Sequence, residues 1–160
     1  MRALIFSDSH GNDMNLRWML EQVWKYHGPI DYYLHCGDGA MDFLRLDGFI
    51  TNRDPLAAQA GVAGNCDFGM KDVPLRRVIP FGSHTIFLTH GHYYGVKGGL
   101  DTVDDAAVGF GCDITVFGHT HVQHSEQRRT LLINPGSVMN DCCAMLTDEN
   151  GRLNVNLMRL

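Results

Sequence analysis

The residues best suited to chemistry in this chain are carboxylate, imidazole and carboxamide side chains that recur beside glycines, at the ends of apolar runs. They lie in five short segments: Asp8-Ser9-His10, Gly37-Asp38, Gly64-Asn65, His90-Gly91-His92 and Gly118-His119-Thr120-His121. Asp8 and His10 are two residues apart, so at the end of an extended strand they would point to the same side; His119 and His121 repeat this spacing. Seven such candidates with one shared aspartate give four protein ligands to each of two metal ions. A shared carboxylate holds two ions roughly 3.5–4 Å apart, an arrangement typical of phosphate-ester hydrolysis.

Composition alone offers a simpler explanation for these histidines. The chain has nine histidines among 160 residues, and a single histidine is more often a surface or core residue. However, the pairs stand next to glycines, follow strand-like runs and come from separate parts of the chain. This combination favours one common site.

The ordered set resembles the calcineurin-like metallophosphoesterases, whose pattern runs D-x-H, G-D, G-N-x-[DE], H and G-H-x-H. The corresponding residues here are Asp8-Ser9-His10, Gly37-Asp38, Gly64-Asn65-Cys66-Asp67, His90 and Gly118-His119-Thr120-His121. The match extends to the turn Asn134-Pro135-Gly136-Ser137. The short length, the G-N-C-D form and this turn are similar to the small bacterial and archaeal phosphodiesterase branch, which includes the eukaryotic retromer subunit of the same fold.

The resemblance implies two groups of four metal ligands that share one member. The first group is Asp8, His10, Asp38 and His121. The second group is Asp38, Asn65, His90 and His119. Ligation by nitrogen and oxygen without a thiolate suits Mn²⁺, Fe²⁺, Zn²⁺ or Ni²⁺, and Mn²⁺ is favoured. Two bound ions would activate a water for in-line attack on phosphorus.

One position departs from the larger enzymes of this family. They carry a histidine after G-N that protonates the leaving oxygen, and Cys66 stands in its place here. We predict no acid role for Cys66, because burial would leave its thiol inert. His92 is the candidate acid, since it lies two residues from His90; the alternative is that it orients a ligand or the substrate. The predicted catalytic residues are His92, Asn65 and Asp38.

Other residues near these motifs have two interpretations each. Asn12 starts the first helix, where it could bind the substrate phosphate, as His92 could, or simply be the N-cap. Asp67 would either orient the Asn65 loop or be a plain turn residue. Tyr93 and Tyr94 would form an apolar wall for the ester or pack elsewhere. His35 is predicted to point into the packed interior, either as a core residue or as a residue that supports a ligand.

Apolar periodicity predicts the elements that position these residues. Strands are predicted over 2–7, 32–36, 57–63, 78–81, 85–89, 114–117, 130–134, 141–147 and 153–158. A first helix has one apolar face, formed by Leu16, Met19, Leu20, Val23 and Trp24. A second helix is predicted over 102–110, with a capping box from Thr102 to Asp105. The α/β order predicts two packed mixed sheets with helices outside, which matches the four-layer αββα sandwich of the family, with its site at the carboxyl ends of the strands.

Length, charge and cysteine usage set the wider expectations. A chain of 160 residues suits a single metallophosphoesterase domain over 1–160. The net charge of −5 argues against a broad nucleic-acid surface but not against a phosphate substrate. Five cysteines without a C-x-x-C pair fit a reducing cytoplasm, and no leader or membrane segment is recognised. A homo-oligomer is compatible with the sequence.

These observations favour a metal-dependent phosphodiesterase that acts on a small-molecule phosphate ester. A phosphomonoesterase or a protein phosphatase is the alternative among enzymes. A non-catalytic interaction scaffold like the retromer subunit is the alternative outside enzymes, although such a role places no demand on seven metal-binding side chains.

Overall fold

Two five-stranded mixed sheets face each other in the computed structural model, which describes residues 1–160. The strands are β1 Arg2–Phe6, β2 Tyr32–His35, β3 Ala58–Gly61, β4 Arg76–Phe81, β5 His84–Thr89, β6 Ile114–Val116, β7 Gln123–Gln127, β8 Leu131–Pro135, β9 Cys142–Glu149 and β10 Arg152–Arg159. The helices are α1 Asp13–Tyr26, α2 Ala40–Arg45, α3 Asp47–Arg53 and α4 Asp101–Gly109. The predicted architecture, a mixed α/β sandwich with flanking helices, is confirmed.

The order of strands brings six carboxyl ends to one side of the molecule. The first sheet has the order β10-β9-β1-β2-β3, in which β1, β2 and β3 are parallel. The second has the order β4-β5-β6-β8-β7, in which β5, β6 and β8 are parallel. Because parallel strands end at the same edge of a sheet, the segments after these six strands can converge.

Alternation along the strands divides the core into layers. In β1, Ala3 and Ile5 pack between the two sheets, while Leu4 and Phe6 face outward against helices. The predicted helical face covers this outer side: Leu16, Met19, Leu20 and Val23 are buried, and Trp24 is half-buried. On the far side of the second sheet, α4 packs through a third apolar cluster. A strand buried on both faces is apolar, as β1 is from Ala3 to Phe6.

Three local predictions were wrong or incomplete. The helix predicted over 102–110 exists, but its N-cap is Leu100 and no side chain caps it, so the capping box from Thr102 to Asp105 is absent. Helices α2 and α3 were not predicted, and neither was the polar edge strand β7. Strand boundaries differ from the predicted ones by one or two residues at several ends. None of the helices is both long enough and apolar enough to span a bilayer.

Candidate metal centre

The segments after the strands carry all seven predicted ligands to one edge of the sandwich. Asp8 and His10 follow β1, Asp38 follows β2, and Asn65 follows β3. In the second sheet, His90 follows β5, and His119 and His121 follow β6. The turn after β8 closes the same edge, because Ser137 Oγ donates to the carbonyl of Asp8 at 2.8 Å. The structure thus brings the predicted ligands together; their role as ligands stays a prediction.

The backbone at these positions is not extended, which corrects the strand-based argument for the two pairs. Asp8, His10, Asp38, His119 and His121 all have positive φ, between 48° and 67°, and they are five of the seven non-glycine residues that do. This conformation costs an L-residue about 1–2 kcal/mol. Left-handed loop residues, rather than strand alternation, therefore aim these side chains. Such conformations cluster at functional sites, where the surrounding structure holds them.

Hydrogen bonds between loops hold this conformation. The amide of Asp8 donates to Gly37 O at 3.0 Å, and that of His10 donates to Asp38 O at 2.9 Å. The amide of Gly118 donates to His90 O at 3.1 Å. Each bond joins two loops that carry predicted ligands, so the loops fix one another.

The first donor group consists of Asp8, His10 and His121, with Asp38 at its edge. His121 Nε2 lies 3.2 Å from Asp8 Oδ1 and 3.3 Å from His10 Nε2. His10 Nε2 lies 3.9 Å from Asp8 Oδ1 and 4.0 Å from Asp38 Oδ2. Asp8 Oδ1 is buried and accepts no hydrogen bond, so one carboxylate oxygen points into this group without a proton donor.

The second donor group surrounds His90 Nε2. It lies 3.1 Å from Asn65 Oδ1, 3.1 Å from His119 Nδ1 and 3.4 Å from Asp38 Oδ2. Asp38 Oδ2 is therefore the atom that the two groups share. The grouping agrees with the ligand sets that the family resemblance implies.

The protonation of His90 shows why a cation suits this arrangement. His90 Nδ1 lies 2.8 Å from the carbonyl oxygen of Cys36, which only an N–H can satisfy. In the neutral ring Nε2 then carries a lone pair, and this lone pair faces two acceptor oxygens. Ligands that bind one ion at about 2.1 Å lie about 3.0–3.4 Å apart, and most of the donor distances fall near this range. The residues present thus fit divalent metal ions; the structure fixes neither their number nor their identity.

Burial and local charges shift the pKa values of the donors in different directions. Burial would raise the pKa of the Asp38 carboxyl, but hydrogen bonds from His90 and the Cys66 amide outweigh it and lower the pKa. Burial lowers the pKa of His119 to about 4, helped by the nearby charges of His90 and Lys97. Burial raises the pKa of Asp8, and the same two aspartates raise the pKa of His90 despite its burial. A cluster in which carboxylates and imidazoles perturb one another in this way is typical of a functional site.

Asp67 joins the two loops that contribute Asp38 and Asn65. Its Oδ2 accepts from the amides of Asp38 and Gly64 at 2.8 and 2.7 Å, and its Oδ1 accepts from those of Gly39 and Ala40 at 2.9 and 3.0 Å. One carboxylate thus satisfies four N–H groups. The interpretation of Asp67 as the residue that orients the Asn65 loop is the one that the structure supports.

Two further positioning residues were missed by sequence reasoning. Asp42 is buried in α2 and accepts from Ser9 Oγ at 2.6 Å and from the Gly11 amide at 2.8 Å, which fixes the loop between Asp8 and α1. Asn134 Nδ2 donates to Gly118 O at 2.8 Å and to Thr120 Oγ1 at 3.0 Å. The only sequence signal for Asn134 was its place in the N-P-G-S turn.

His92 lies beside the second donor group, in a 3₁₀ turn over His92–Tyr94. Its ring centroid is 5.2 Å from that of His90 and 6.1 Å from that of His119. Its Nδ1 is buried without a partner, and burial together with the charge of His90 lowers its pKa. Tyr93 is exposed, and its ring centroid lies 4.2 Å from that of His92. Tyr94 instead packs edge-on against Phe87 in the core. Only Tyr93 can therefore border the site.

Cys66, Asn12 and His35 complete the predicted set. Cys66 is exposed and lies close to His10 and Asp38, so the assumption that it is buried was wrong. Partial desolvation of the thiol, followed by the nearby Asp38 carboxylate, raises the pKa of Cys66. Asn12 is the N-cap of α1, since Oδ1 accepts from the Asn15 amide at 3.0 Å. His35 is fully buried and stacks on Phe43, as predicted for a core residue.

Comparisons with known proteins identify the same family that the sequence motifs resemble. The calcineurin-like phosphoesterase superfamily domain matches residues 1–149. The probable metallophosphoesterase YsnB of Bacillus subtilis is 36% identical over 157 residues, which cover 94% of this chain and 86% of that protein. The phosphodiesterase YfcE of Escherichia coli K12 is 34% identical over 86 residues, 48% of this chain and 42% of that protein.

Solved structures show the same fold. A predicted phosphoesterase from Streptococcus pneumoniae superposes with a TM-score of 0.76 at 27% identity, covering 99% of this chain and 88% of that one. Vps29 of Chaetomium thermophilum superposes with a TM-score of 0.74 at 17% identity, covering 100% and 95%. At the latter identity the likeness concerns the fold alone.

Proposed function

Since the chain belongs to the calcineurin-like phosphoesterase superfamily, we propose that it hydrolyses small phosphodiesters at two divalent metal ions held by the two donor groups. The observation that carries this proposal is the sharing of Asp38 Oδ2 by both groups, 4.0 Å from His10 Nε2 on one side and 3.4 Å from His90 Nε2 on the other. The proposed nitrogen and oxygen donors suit Mn²⁺, Fe²⁺, Zn²⁺ or Ni²⁺, and Mn²⁺ is the ion we favour.

The chain's own residues would contribute geometry and charge. Two divalent ions bound here would supply Lewis-acid activation of a water and neutralisation of the phosphate oxygens. Asp67 and Asp42 hold the loops that present the donors, so the ligand side chains need little reorganisation. Asn65 offers only a neutral carbonyl oxygen, which leaves more net positive charge at the second group for an anionic substrate.

His92 is the residue that we propose protonates the leaving oxygen. Its ring lies beside the second donor group, and its Nδ1 is buried without a partner. The lowered pKa makes protonated His92 a stronger acid but a scarcer one at neutral pH. We therefore expect His92 to matter for poor leaving groups and to be dispensable for good ones.

Access to the site favours a diester. His10 and His121 are partly exposed on the first group, and Cys66 is exposed beside it. A second ester group therefore meets little steric resistance. The similarity to a protein named as a phosphodiesterase, YfcE, supports the same choice.

Two alternatives stay in competition with this proposal. A phosphomonoesterase or protein phosphatase would use the same donors. The structural likeness to Vps29 gives some support to a non-catalytic scaffold, but a scaffold has no need of seven convergent predicted ligands, five of which have left-handed backbones.

Metal analysis and a substrate panel would decide among these functions. Protein purified without chelator is expected to contain two divalent ions per chain and to hydrolyse aryl diesters faster than the matched monoesters. Chelation should abolish hydrolysis, and Mn²⁺ should restore it. Undiminished hydrolysis by metal-free protein would overturn the proposal, and faster hydrolysis of monoesters or phosphopeptides would favour the first alternative.

A further inference from the structure

A cavity of about 370 Å³ adjoins the first donor group on its solvent side. Its lining includes His10 and Asp38, which belong to the donor groups, Met41 and Arg45 of α2, and Cys66. The volume lies within the range of small-molecule sites. Whatever part of a substrate extends from the first donor group toward α2 must enter this cavity.

The carboxylates that line the cavity already have partners. Asp42 accepts from Ser9 and Gly11, and Asp67 accepts from four backbone amides. Asp38 Oδ1 accepts from the Cys66 amide at 2.7 Å, while its Oδ2 belongs to the donor groups. These acids are therefore committed to holding the loops and the donor groups.

Arg45 is the only lysine or arginine in the lining, and it is held weakly. Its nearest carboxylate is Asp13 Oδ2 at 3.7 Å, in a pair whose side chains are 59% and 36% exposed. Exposed pairs of this kind contribute little to stability. The guanidinium can therefore turn to a ligand, and its planar donors suit a carboxylate or phosphate group in bidentate contact.

We infer that this cavity binds a second anionic group of the substrate, with Arg45 as its specificity-determining residue. The inference rests on the proposed function, which places the scissile phosphate at the donor groups. The substrate class is a phosphodiester in which one ester group is a short organic linker that ends in a carboxylate or phosphate. The linker would lie against Met41, which is 47% exposed, and its anionic end would pair with Arg45.

Three diesters with one common leaving group test this inference. Each carries a p-nitrophenyl group, and the second ester group is propyl, 2-carboxyethyl or 2-phosphonoethyl. In Arg45→Ala, kcat/KM for the two anionic diesters should fall about tenfold or more relative to the propyl diester, which corresponds to about 1.4 kcal/mol. Arg45→Lys should lose part of this preference and Arg45→Glu should reverse it. A larger loss for the phosphonate than for the carboxylate would assign the second group as phosphate-like; the opposite order would assign a carboxylate.

Arg152→Ala is the matched control. It removes the same charge from an exposed arginine at the start of β10, which does not line the cavity. The control should leave the ratio of the three rates unchanged. If Arg152→Ala changes the ratio as Arg45→Ala does, the effect comes from net charge and the inference is wrong.

A binding measurement separates this inference from the proposed function. Isothermal titration with 3-phosphonopropionate and propylphosphonate, which are not phosphate esters, should show tighter binding of the former to the metal-loaded wild-type protein and equal binding to Arg45→Ala. Equal binding of both to wild-type protein would overturn the inference even if the propyl diester is hydrolysed. Absence of any diester hydrolysis would instead overturn the proposed function, and the titration alone would then decide on the cavity.

Discussion

At the amino ends of β5 and β6, His84 and Asp113 form one hydrogen-bonded pair, whereas at the opposite ends of the strands five histidines gather around two aspartates. His84 Nδ1 lies 2.5 Å from Asp113 Oδ2, and Asp113 Oδ1 accepts from the Thr85 amide at 2.8 Å. Both carboxylate oxygens of Asp113 are thus served by protons from the chain. The carboxylate of this pair is therefore fully satisfied, and the one buried atom of the pair without a partner is His84 Nε2.

The cluster at the carboxyl ends of the strands also consists of histidines and aspartates, but some of its acceptor atoms have no N–H or O–H donor. Asp8 Oδ1 accepts nothing, and the nitrogen His90 Nε2 faces two oxygens and a second nitrogen. The residues at this end also have left-handed backbones, while His84 lies in a regular strand. Residue type alone therefore does not identify a functional site, whereas lone pairs that converge without N–H or O–H donors do. A variant at one end of the strands has a matched control at the other end or at a neighbouring residue.

The largest effect is expected from Asp38→Ala. Asp38 is common to both donor groups, so its loss should weaken both ions and lower kcat/KM for an aryl diester by about 10³-fold, since the ions supply several kcal/mol of transition-state stabilisation. Cys66→Ala should cost less than about tenfold, because the thiol is not among the ligand atoms. Steady-state kinetics and metal content measure both. Equal and severe losses would show that Cys66 takes part directly.

The next effect concerns His92 and depends on the leaving group. His92→Ala should slow an alkyl diester about 10²-fold, the lower range for general acid catalysis, and leave an aryl diester nearly unchanged. The measurement is kcat/KM across leaving groups of rising pKa. His84→Ala, at the other end of the strands, should shift none of these rates. A common factor for all substrates in His92→Ala would assign His92 to binding or positioning.

Asp67→Asn should act through geometry. An asparagine offers one acceptor oxygen, so two of the four amides now bound by Asp67 would lose their acceptor, at about 1–3 kcal/mol each. Metal affinity should fall about 10–100-fold, and higher metal concentration should restore much of the activity. Asp72→Asn, an exposed change on the same loop, should have no such effect. Loss of activity that saturating metal does not restore would argue against a positioning role.

These residues also show how far the sequence could go. The ligand segments were predictable, since aspartate, histidine and asparagine recur beside glycines after apolar runs. The face of α1 was predictable too, because its buried residues, from Leu16 to Val23, repeat at helical spacing over about two turns. Helices α2 and α3 have six and seven residues, too few for a periodic pattern to emerge.

Features that depend on distant partners could not be predicted. The polar sequence of β7 has no apolar alternation, and only its pairing with β8 makes it a strand. The left-handed backbone of Asp8 depends on the carbonyl of Gly37 from a neighbouring loop. Likewise, four amides from two loops converge on Asp67, and these loops meet only because β2 and β3 pair in the first sheet. The burial assumed for Cys66 was wrong for the same reason, because the exposure of a loop residue depends on the structure around it.

The smallest effect is expected from Asp113→Asn, and it concerns stability rather than activity. The hydrogen bond to Asp113 raises the pKa of His84 above its usual 6.5, so the stability that this interaction contributes is present below about pH 6.5 and is lost as pH rises through the folded-state pKa. The Thr85 amide and His84 lower the pKa of Asp113 despite its partial burial, so its contribution is lost only when pH falls below about 3.8. The pair should therefore stabilise the protein most between these limits. Because Asp113 is 53% exposed, we expect the pair to contribute less than about 1 kcal/mol to the free energy of unfolding.

Urea unfolding of wild-type and variant protein at pH 5.5 and 8.5 should show a larger difference in the free energy of unfolding at pH 5.5, with unchanged hydrolysis. An equal difference at both pH values would mean that His84 does not carry the charge, and a loss of activity would contradict the separation of the two ends.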